Sequence, residues 1–233
     1  MGGGTGASRK GVLMGTRPIE PPPSRYAMPR AELAPSHGCL AGGGDLEPGT
    51  ILAAYRGGIF PWPDPDGRLL WWSPDPRAVL PLDGFHESRS LGRVRRRGIY
   101  RVTRNQACAA VIAGCAERVE GTWITPAMRR AYERLHALGW VHSVEAWQGS
   151  TLVGGVYGVA IGGLFAAESK FHRAPDASKV ALAALVDWLV ERRFHLLDVQ
   201  LATDHLRTLG VIEIPRLEYL RRLPDALAAD ASF

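Results

Sequence analysis

The predicted order of secondary structure indicates an α+β protein. Over residues 104–233, hydrophobic spacing and turn residues predict two helices, three strands, a helix, a strand, a helix, a strand and a last helix. The three consecutive strands are joined by short turns at residues 148–150 and 161–163, which predict an antiparallel meander. In this layout the strand at residues 196–201 lies inside the sheet.

The N-terminal third is predicted to contain an extension and a small domain. Residues 1–38 contain glycine and proline without hydrophobic periodicity, so we expect a flexible extension. Residues 39–103 are predicted to form a small α/β domain, with a helix at 50–56 closed by two glycines and strands at 69–72 and 78–80.

Residues 104–233 are predicted to form the second domain, and local signals set its elements. The helix at 125–138 begins with Thr125 as N-cap and Pro126 in its first turn, and it ends before Gly139. The other predicted helices are at 105–117, 176 or 178 to 193, 203–209 and 215–223, and the predicted strands are at 141–147, 151–160, 164–168, 196–201 and 211–214.

The strand at 196–201 carries two polar side chains on one face, Asp198 and Gln200, because strand side chains alternate with period two. An unpartnered buried carboxylate costs several kcal/mol, on the order of 2 to 7, so Asp198 must be bonded. Two interpretations remain open on spacing alone. In the first, Asp198 has a structural role and either caps the next helix or pairs with an arginine. In the second, Asp198 and Gln200 together take part in a reaction.

Composition favours a protein with an ample core and a polyanionic partner. The 233 residues are 46% hydrophobic and carry a formal net charge of +5. Arginines cluster where only Glu87 opposes them, which favours a nucleic acid over an ordinary solvated surface. The cluster comprises Arg89, Arg93, Arg95, Arg96, Arg97, Arg101 and Arg104.

Cysteine usage and hydropathy predict a cytoplasmic protein with no membrane segment. The three cysteines form no CxxC pair, and their odd number argues against a disulfide framework. No run of eighteen uncharged apolar residues occurs. His37 and Cys39 lack a second pair at ligand spacing, so no metal is predicted.

The element order suggests the acyltransferase architecture of GNAT type, a GNAT-like catalytic domain at 104–233. The coenzyme A members hold pyrophosphate on a glycine-rich loop at a helix N-terminus. Residues 171–176, before the helix that follows the meander, are not glycine-rich, so coenzyme A is disfavoured and no cofactor is predicted. An aminoacyl-tRNA donor suits the basic patch, the tryptophans and acyl transfer, because its ester is already activated.

Several long motifs in the same order resemble bacterial leucyl/phenylalanyl-tRNA protein transferases. The resemblance runs from about residue 40 to residue 223. The matching runs are GGGDL (42–46), YRGGIFPW (55–62), WWSPDPR (71–77), GTWIT (121–125), LVGGVYG (152–158), ES (168–169) with Phe171, DVQ (198–200) and DH (204–205).

The resemblance implies an activity and two substrates. Leucine or phenylalanine, and methionine less well, passes from charged tRNA to the α-amine of proteins that begin with Arg or Lys, which produces an N-end-rule degradation signal. The implied enzyme is a monomer. Gln200 is expected to take the amine proton while Asp198 bonds to and polarises its carboxamide; alternatively, the pair orients the ribose or the amine.

Other site residues are also implied by the resemblance. Trp62 and Trp123 match tryptophans near the terminal adenosine, and Glu168 matches a glutamate that bonds the adenosine or the aminoacyl amine. Arg96 and Arg97 match basic contacts to the acceptor stem. The donor side-chain pocket is implied at Val156, Phe165, Leu182, Leu185, Leu189 and Leu197, although periodicity alone places all six in the core.

Two competing functions come from other classes. A GNAT-type N-acetyltransferase would bind coenzyme A, which the missing phosphate loop disfavours. A noncatalytic RNA-binding module would need the arginines and tryptophans but not Asp198 and Gln200.

Overall fold

In the computed structural model, which describes residues 17–117 and 122–233, the chain folds around two β-sheets. The helices are α1 Pro48–Arg56, α2 Arg89–Arg96, α3 Cys108–Ala116, α4 Pro126–Ala137, α5 Ala177–Glu191, α6 Asp204–Arg207 and α7 Arg216–Ala228. The strands are β1 Cys39–Gly42, β2 Phe60–Pro61, β3 Leu70–Trp72, β4 Arg77–Val79, β5 Arg101–Arg104, β6 Val141–Gln148, β7 Thr151–Ile161, β8 Leu164–His172, β9 Leu196–Gln200 and β10 Ile212–Ile214. The mixed α+β class is confirmed.

The smaller sheet is antiparallel, with strand order β1-β3-β2. Helix α1 precedes β2 in the chain, starts with Pro48 in its first turn and buries Ile51, Leu52 and Tyr55. Pro48 suits this place because the first turn of a helix needs no N–H donor from it. Because α1 buries this face, the side chain of Tyr55 points inward and reaches Glu168 on β8.

The larger sheet has seven strands in the order β10-β4-β9-β8-β7-β6-β5. Strands β6, β7 and β8 form the predicted antiparallel meander, and β9 pairs parallel to β8 with Asp198 opposite Ala166. Strand β9 lies between β4 and β8, so the prediction that the Asp198 strand is internal is confirmed.

Helices cover both faces of the larger sheet. Helix α5 packs one face with Leu182, Leu185 and Leu189 against Phe165 and Leu197. Helices α3 and α4 contribute to a second cluster, and α7 to a third, on other parts of the sheet. Each fully buried leucine contributes about 1.5–3 kcal/mol through removal of its apolar area from water.

The predicted domain boundary between residues 103 and 104 does not coincide with the division between the sheets. Strand β4 lies before this boundary and β5, residues 101–104, runs across it, yet both strands belong to the larger sheet. The reason is pairing over long sequence separation: β4 lies between β9 and β10. Local sequence signals carry no information about such partners.

The predicted flexible extension, residues 1–38, is corrected for residues 17–38. The backbone N–H of Ile19 donates to the carbonyl of Leu138 at 2.8 Å, and Trp140 Nε1 donates to the carbonyl of Ile19 at 2.8 Å. Ala31 is buried in the cluster beside the smaller sheet. Residues 17–38 have no hydrophobic periodicity, but contacts with other elements hold this proline-rich segment in place. Residues 1–16 lie outside the described residues.

No helix within residues 17–117 and 122–233 is both long enough and apolar enough to cross a bilayer.

Candidate active site

Asp198 is completely buried, and each of its carboxylate oxygens has two donors. Arg77 Nε donates to Oδ1 at 2.9 Å and Arg77 Nη2 donates to Oδ2 at 2.6 Å. The backbone N–H of Gln200 completes Oδ1 at 2.9 Å, and the Tyr219 hydroxyl completes Oδ2 at 3.0 Å. The side chain of Asp198 is 0% exposed and that of Arg77 is 1% exposed.

Arg77 is itself fixed by the surrounding elements. Its Nη1 donates to the carbonyl of Gly58 at 3.1 Å. Its guanidinium lies between two aromatic rings, 4.8 Å from the Phe60 centroid and 4.4 Å from the Tyr219 centroid. Burial opposes the charge of Arg77, but the attraction of Asp198 outweighs it and raises the pKa of Arg77, so the guanidinium stays charged.

These contacts differ from the predicted bond between Asp198 and the carboxamide of Gln200. The carboxylate binds the backbone N–H of Gln200, and the carboxamide nitrogen of Gln200 donates instead to Glu168. The pairing of Asp198 with an arginine, which spacing had left open, is therefore what the structure contains. Asp198 holds the end of β9 in place, because its four acceptor positions are occupied by fixed donors.

Gln200 has one end of its carboxamide bonded and one end available. Its Nε2 donates to Glu168 Oε1 at 3.2 Å, and its carbonyl oxygen makes no hydrogen bond within the part of the chain that the structure describes. The residue is 6% exposed and lines a pocket. Its φ of 60° is unusual for a non-glycine residue and turns the chain at the end of β9.

Glu168, on β8, forms a ring of oxygen atoms with two tyrosines from different helices. The Tyr55 hydroxyl lies 2.6 Å from Glu168 Oε1, the Tyr132 hydroxyl lies 2.8 Å from Oε2, and the two hydroxyls are 2.9 Å apart. When Glu168 is ionised, only the two tyrosine hydroxyls carry protons, so only two of the three oxygen–oxygen contacts can be hydrogen bonds. When Glu168 is protonated, the ring has three protons, and all three contacts can be hydrogen bonds.

The electrostatics of Glu168 agree with this proton count. Burial raises the pKa of Glu168 to about 7, and the hydrogen bonds from Tyr55 and Tyr132 only partly oppose that effect. Burial, together with the charge of Glu168, raises the pKa of both tyrosines well above the ordinary value. The ring therefore gains or loses its proton on Glu168 near neutral pH.

A pocket of about 510 Å³ brings together most of the implied substrate-binding residues. Trp62 and Trp123 stand at the wall of this site pocket, with their rings stacked at 5.4 Å between centroids and 27° between planes. Val156 and Leu182 provide an apolar part of the lining, and Glu168 and Gln200 provide its polar part. An aromatic face, an apolar wall and an available carboxamide oxygen thus meet in one place.

Four of the residues implied for the donor pocket do not line the site pocket. Phe165, Leu185, Leu189 and Leu197 are at most 1% exposed and pack together between α5 and the larger sheet. Leu182, Leu185 and Leu189 follow one another on the same face of α5 at helical spacing, so the sequence pattern does not distinguish them. They differ in depth, because Leu182 reaches the pocket and the other two leucines lie behind it.

Arg96 and Arg97 lie outside the site pocket, at the C-terminal end of α2. Both are exposed, and neither forms an ion pair among residues 17–117 and 122–233. The preceding residue, Arg95, differs because it is paired with Glu87 and Asp187. Helix α2 packs against α5, so the two cations lie on the surface beside that helix.

Sequence reasoning gave no role to the side chains that fix the site: Arg77, Tyr55, Tyr132 and Tyr219. Arg77 and Tyr55 fall in motifs that carry the resemblance, and this was the available signal. Tyr132 and Tyr219 lie on helices at positions that read as core aromatics. Their common partners appear only when α1, α4 and α7 converge on the larger sheet.

Comparisons with known proteins agree with a catalytic site. The leucyl/phenylalanyl-tRNA protein transferase family matches residues 79–224, and the N-terminal domain of the same family matches residues 44–75. Three relatives are leucyl/phenylalanyl-tRNA protein transferases. The one from Anaeromyxobacter sp. (strain Fw109-5) is 51% identical over 88% of this chain and 89% of its own length. Those from Klebsiella pneumoniae (strain 342) and Escherichia coli O81 (strain ED1a) are 51% and 50% identical, over 84% and 85% of each chain.

These matches define an enzyme of the transferase class. Both family segments lie in the expected order, and together they cover β2 and β3 of the smaller sheet, most of the larger sheet and every residue that lines the site pocket. The chain belongs to the leucyl/phenylalanyl-tRNA protein transferase family.

Proposed function

We propose that this enzyme moves leucine or phenylalanine, and methionine less well, from aminoacyl-tRNA to the α-amine of proteins that begin with Arg or Lys. The product would be an N-end-rule degradation signal. The observation that carries the proposal is the site pocket, in which the Trp62–Trp123 stack, an apolar wall and Gln200 meet. The family membership supports the same donor and reaction.

The donor fits the pocket in parts. The terminal adenine stacks on the indoles, since base–aromatic stacking stabilises by about 1–3 kcal/mol per base. The leucyl or phenylalanyl side chain lies against Val156 and Leu182. A β-branched side chain is disfavoured because its branch lies next to the reacting ester, whereas a missing methylene costs only about 1–3 kcal/mol.

Transfer is an aminolysis of the aminoacyl ester. The neutral amine attacks the ester carbonyl, the new amide bond forms, the bond to the ribose oxygen breaks, and the amine proton ends on that ribose oxygen. An α-amine has an ordinary pKa of about 7.7–8.0, so part of it is neutral at physiological pH. Only positioning and modest proton transfer are therefore required of the protein.

We assign the positioning to Gln200. Its carbonyl oxygen accepts a hydrogen bond from the attacking amine, and the bond from its Nε2 to Glu168 fixes which end of the carboxamide faces the substrate. Asp198 acts through the backbone N–H of Gln200 and through Arg77, and it is a positioning residue.

Further parts of the proposal concern architecture and setting. The order of a meander, a covering helix and a parallel strand supports a GNAT-like catalytic domain. We also propose that the enzyme acts as a monomer. The tRNA donor supports a cytoplasmic location.

The test mixes the purified enzyme with radiolabelled Leu-tRNA or Phe-tRNA and a protein that begins with arginine. We expect label on the protein, and none when the same protein has an acetylated N-terminus. Intact charged tRNA with no label on the protein would contradict the proposal.

A further inference from the structure

A second cavity, of about 550 Å³, lies next to the site pocket and has no role in the transfer described above. It is enclosed by the end of β8, the end of α3 and the beginning of α5. Lys170 lines both the cavity and the site pocket, so the two spaces are neighbours. We call this second space the β8–α5 cavity.

The lining of the β8–α5 cavity is predominantly cationic. Lys170, Arg173 and Lys179 face two carboxylates, and each carboxylate is engaged by a cation. Asp176 accepts from Lys179 at 2.8 Å, and Glu117 accepts from Arg173 at 2.6 Å.

Two histidines, His172 and His205, add to this lining. The pKa of His205 is lowered by burial first, and then by the positive charges of Lys170, Lys179 and His172. The cations that line the cavity therefore lie close enough to act on a group placed between β8 and α5.

Ser178 gives the β8–α5 cavity a hydroxyl donor without a protein partner. The residue is 6% exposed and lines the cavity, and its hydroxyl makes no hydrogen bond to any group in residues 17–117 or 122–233. The hydroxyl oxygen itself is accessible from the cavity, so it can donate a hydrogen bond there. A ligand with acceptor atoms would supply that partner.

The same place is the N-terminal turn of α5, a helix of 15 residues. Backbone N–H groups and the helix dipole favour an anion there. Gly154 allows the approach of this turn to β7, because a Cβ at Gly154 would lie 2.7 Å from the Cβ of Ala177 and 3.0 Å from the backbone N of Ser178. Gly154 thus lets α5 begin close to β7, beside the cavity.

We propose that the β8–α5 cavity binds a backbone phosphate of the single-stranded 3′ end of the tRNA donor, the one that links the terminal adenosine to the nucleotide before it. This inference rests on the proposed function. A phosphodiester has only acceptor oxygens and one negative charge, which match a serine hydroxyl, free helix N–H groups and lysine. With the adenosine in the site pocket, that phosphate is covalently tied close to the neighbouring cavity.

The experiment measures binding of two inert donor analogues by titration calorimetry, so it does not depend on turnover. One is adenosine with a 3′-leucylamido group; the other is the same adenosine joined through its 5′-phosphate to cytidine. We expect the wild type to bind the dinucleotide more tightly. We expect Ser178→Ala and Lys179→Gln each to weaken dinucleotide binding about tenfold, as for loss of one hydrogen bond to a charged group, with adenosine-analogue binding unchanged.

Arg129→Gln is the matched control, since Arg129 is an exposed cation on α4, paired with Glu133 and outside both spaces. Equal weakening of both analogues, or none, would overturn the phosphate site. So would variants that change only the KM of acceptor proteins with an acidic second residue, because the cavity would then bind the acceptor. Failure of the wild type to transfer label, with the binding pattern intact, would overturn the proposed function alone.

Discussion

At the scale of single residues, the site depends on how Glu168 and Gln200 share their hydrogen bonds. The carboxyl of Glu168 accepts from two tyrosines and from Gln200, so its protonation state is set by groups that are fixed in the fold. Gln200 then presents its carbonyl oxygen to the site pocket. In the proposed reaction, the residue that faces the substrate and the residues that orient it are thus distinct.

Glu168→Gln should alter the pH dependence of stability. The folded-state pKa of about 7 lies above the ordinary value of 4.5, so the folded protein holds this proton over a range in which the unfolded chain has lost it. The wild type therefore loses stability from this group as pH rises from 4.5 through 7, and the variant does not. Urea unfolding across this range should show that the free energy of unfolding of the variant increases relative to that of the wild type as pH rises.

The control for this experiment is Glu133→Gln, which changes an exposed glutamate paired with Arg129 on α4. It should reproduce the wild-type profile. A Glu168→Gln profile parallel to that of the wild type would show that the oxygen ring does not hold the proton.

Trp62→Ala and Trp123→Ala should each weaken binding of a leucylamido-adenosine analogue. Loss of one stacking surface costs about 1–3 kcal/mol, or about 5- to 150-fold in Kd. The two rings also stack on each other, so each variant removes support from the other indole. Trp147→Ala, which removes a β6 tryptophan outside the site pocket, should leave the Kd at the wild-type value, and an unchanged Kd in Trp62→Ala would exclude the platform.

At the scale of elements, the ion pair between Arg77 on β4 and Asp198 on β9 fixes two neighbouring strands. Asp198→Ala leaves a buried, unpaired guanidinium, and the free energy of unfolding should fall by about 3–5 kcal/mol. Arg77→Met with Asp198→Leu should recover most of that loss, because an apolar pair needs no desolvation of charge. Urea unfolding measures both effects.

Transfer assays on these variants separate a positioning role from proton transfer. If Asp198 only positions Gln200, the variant with both Arg77→Met and Asp198→Leu should recover turnover as it recovers stability. An Asp198→Ala protein of wild-type stability with abolished kcat would instead mean that the carboxylate takes part in the reaction.

The elements show which features could be read from the sequence. Helix α4 was predicted because Thr125, Pro126 and Gly139 mark its ends locally, and the meander because its turns are short. The Arg77–Asp198 pair was left open, because the two residues are 121 positions apart and only the sheet order joins them.

The pocket leucines show a second limit of sequence reasoning. Leu182 and Leu185 have the same periodicity on α5, but only Leu182 reaches the site pocket. Depth below a surface depends on neighbouring elements, and hydrophobic spacing does not encode it.

At the scale of the whole molecule, an exposed cationic surface on α2 should attract the tRNA backbone. Replacing Arg96 and Arg97 together by alanine should weaken Leu-tRNA binding and reduce the steepness of log Kd against log salt by roughly 1.8, about 0.9 for each phosphate contact. Filter binding over a series of salt concentrations measures the slope.

Arg68→Ala with Arg129→Ala is a control of equal charge change, since both are exposed arginines paired with acids near them in sequence. The control should keep the wild-type slope. An unchanged slope in the Arg96 and Arg97 variant would mean that the acceptor stem is held elsewhere.

The position of β4 also determines when the enzyme can become active during its synthesis. Both neighbours of this strand, β9 and β10, emerge from the ribosome long after it, and Arg77 precedes its carboxylate by 121 residues. Until then the strand has no partner on either edge, and its guanidinium must stay in water. A nascent chain that stops before β9 therefore lacks Asp198 and Gln200 and has no partner for Arg77, so activity should arise only after β9 and β10 have been synthesised.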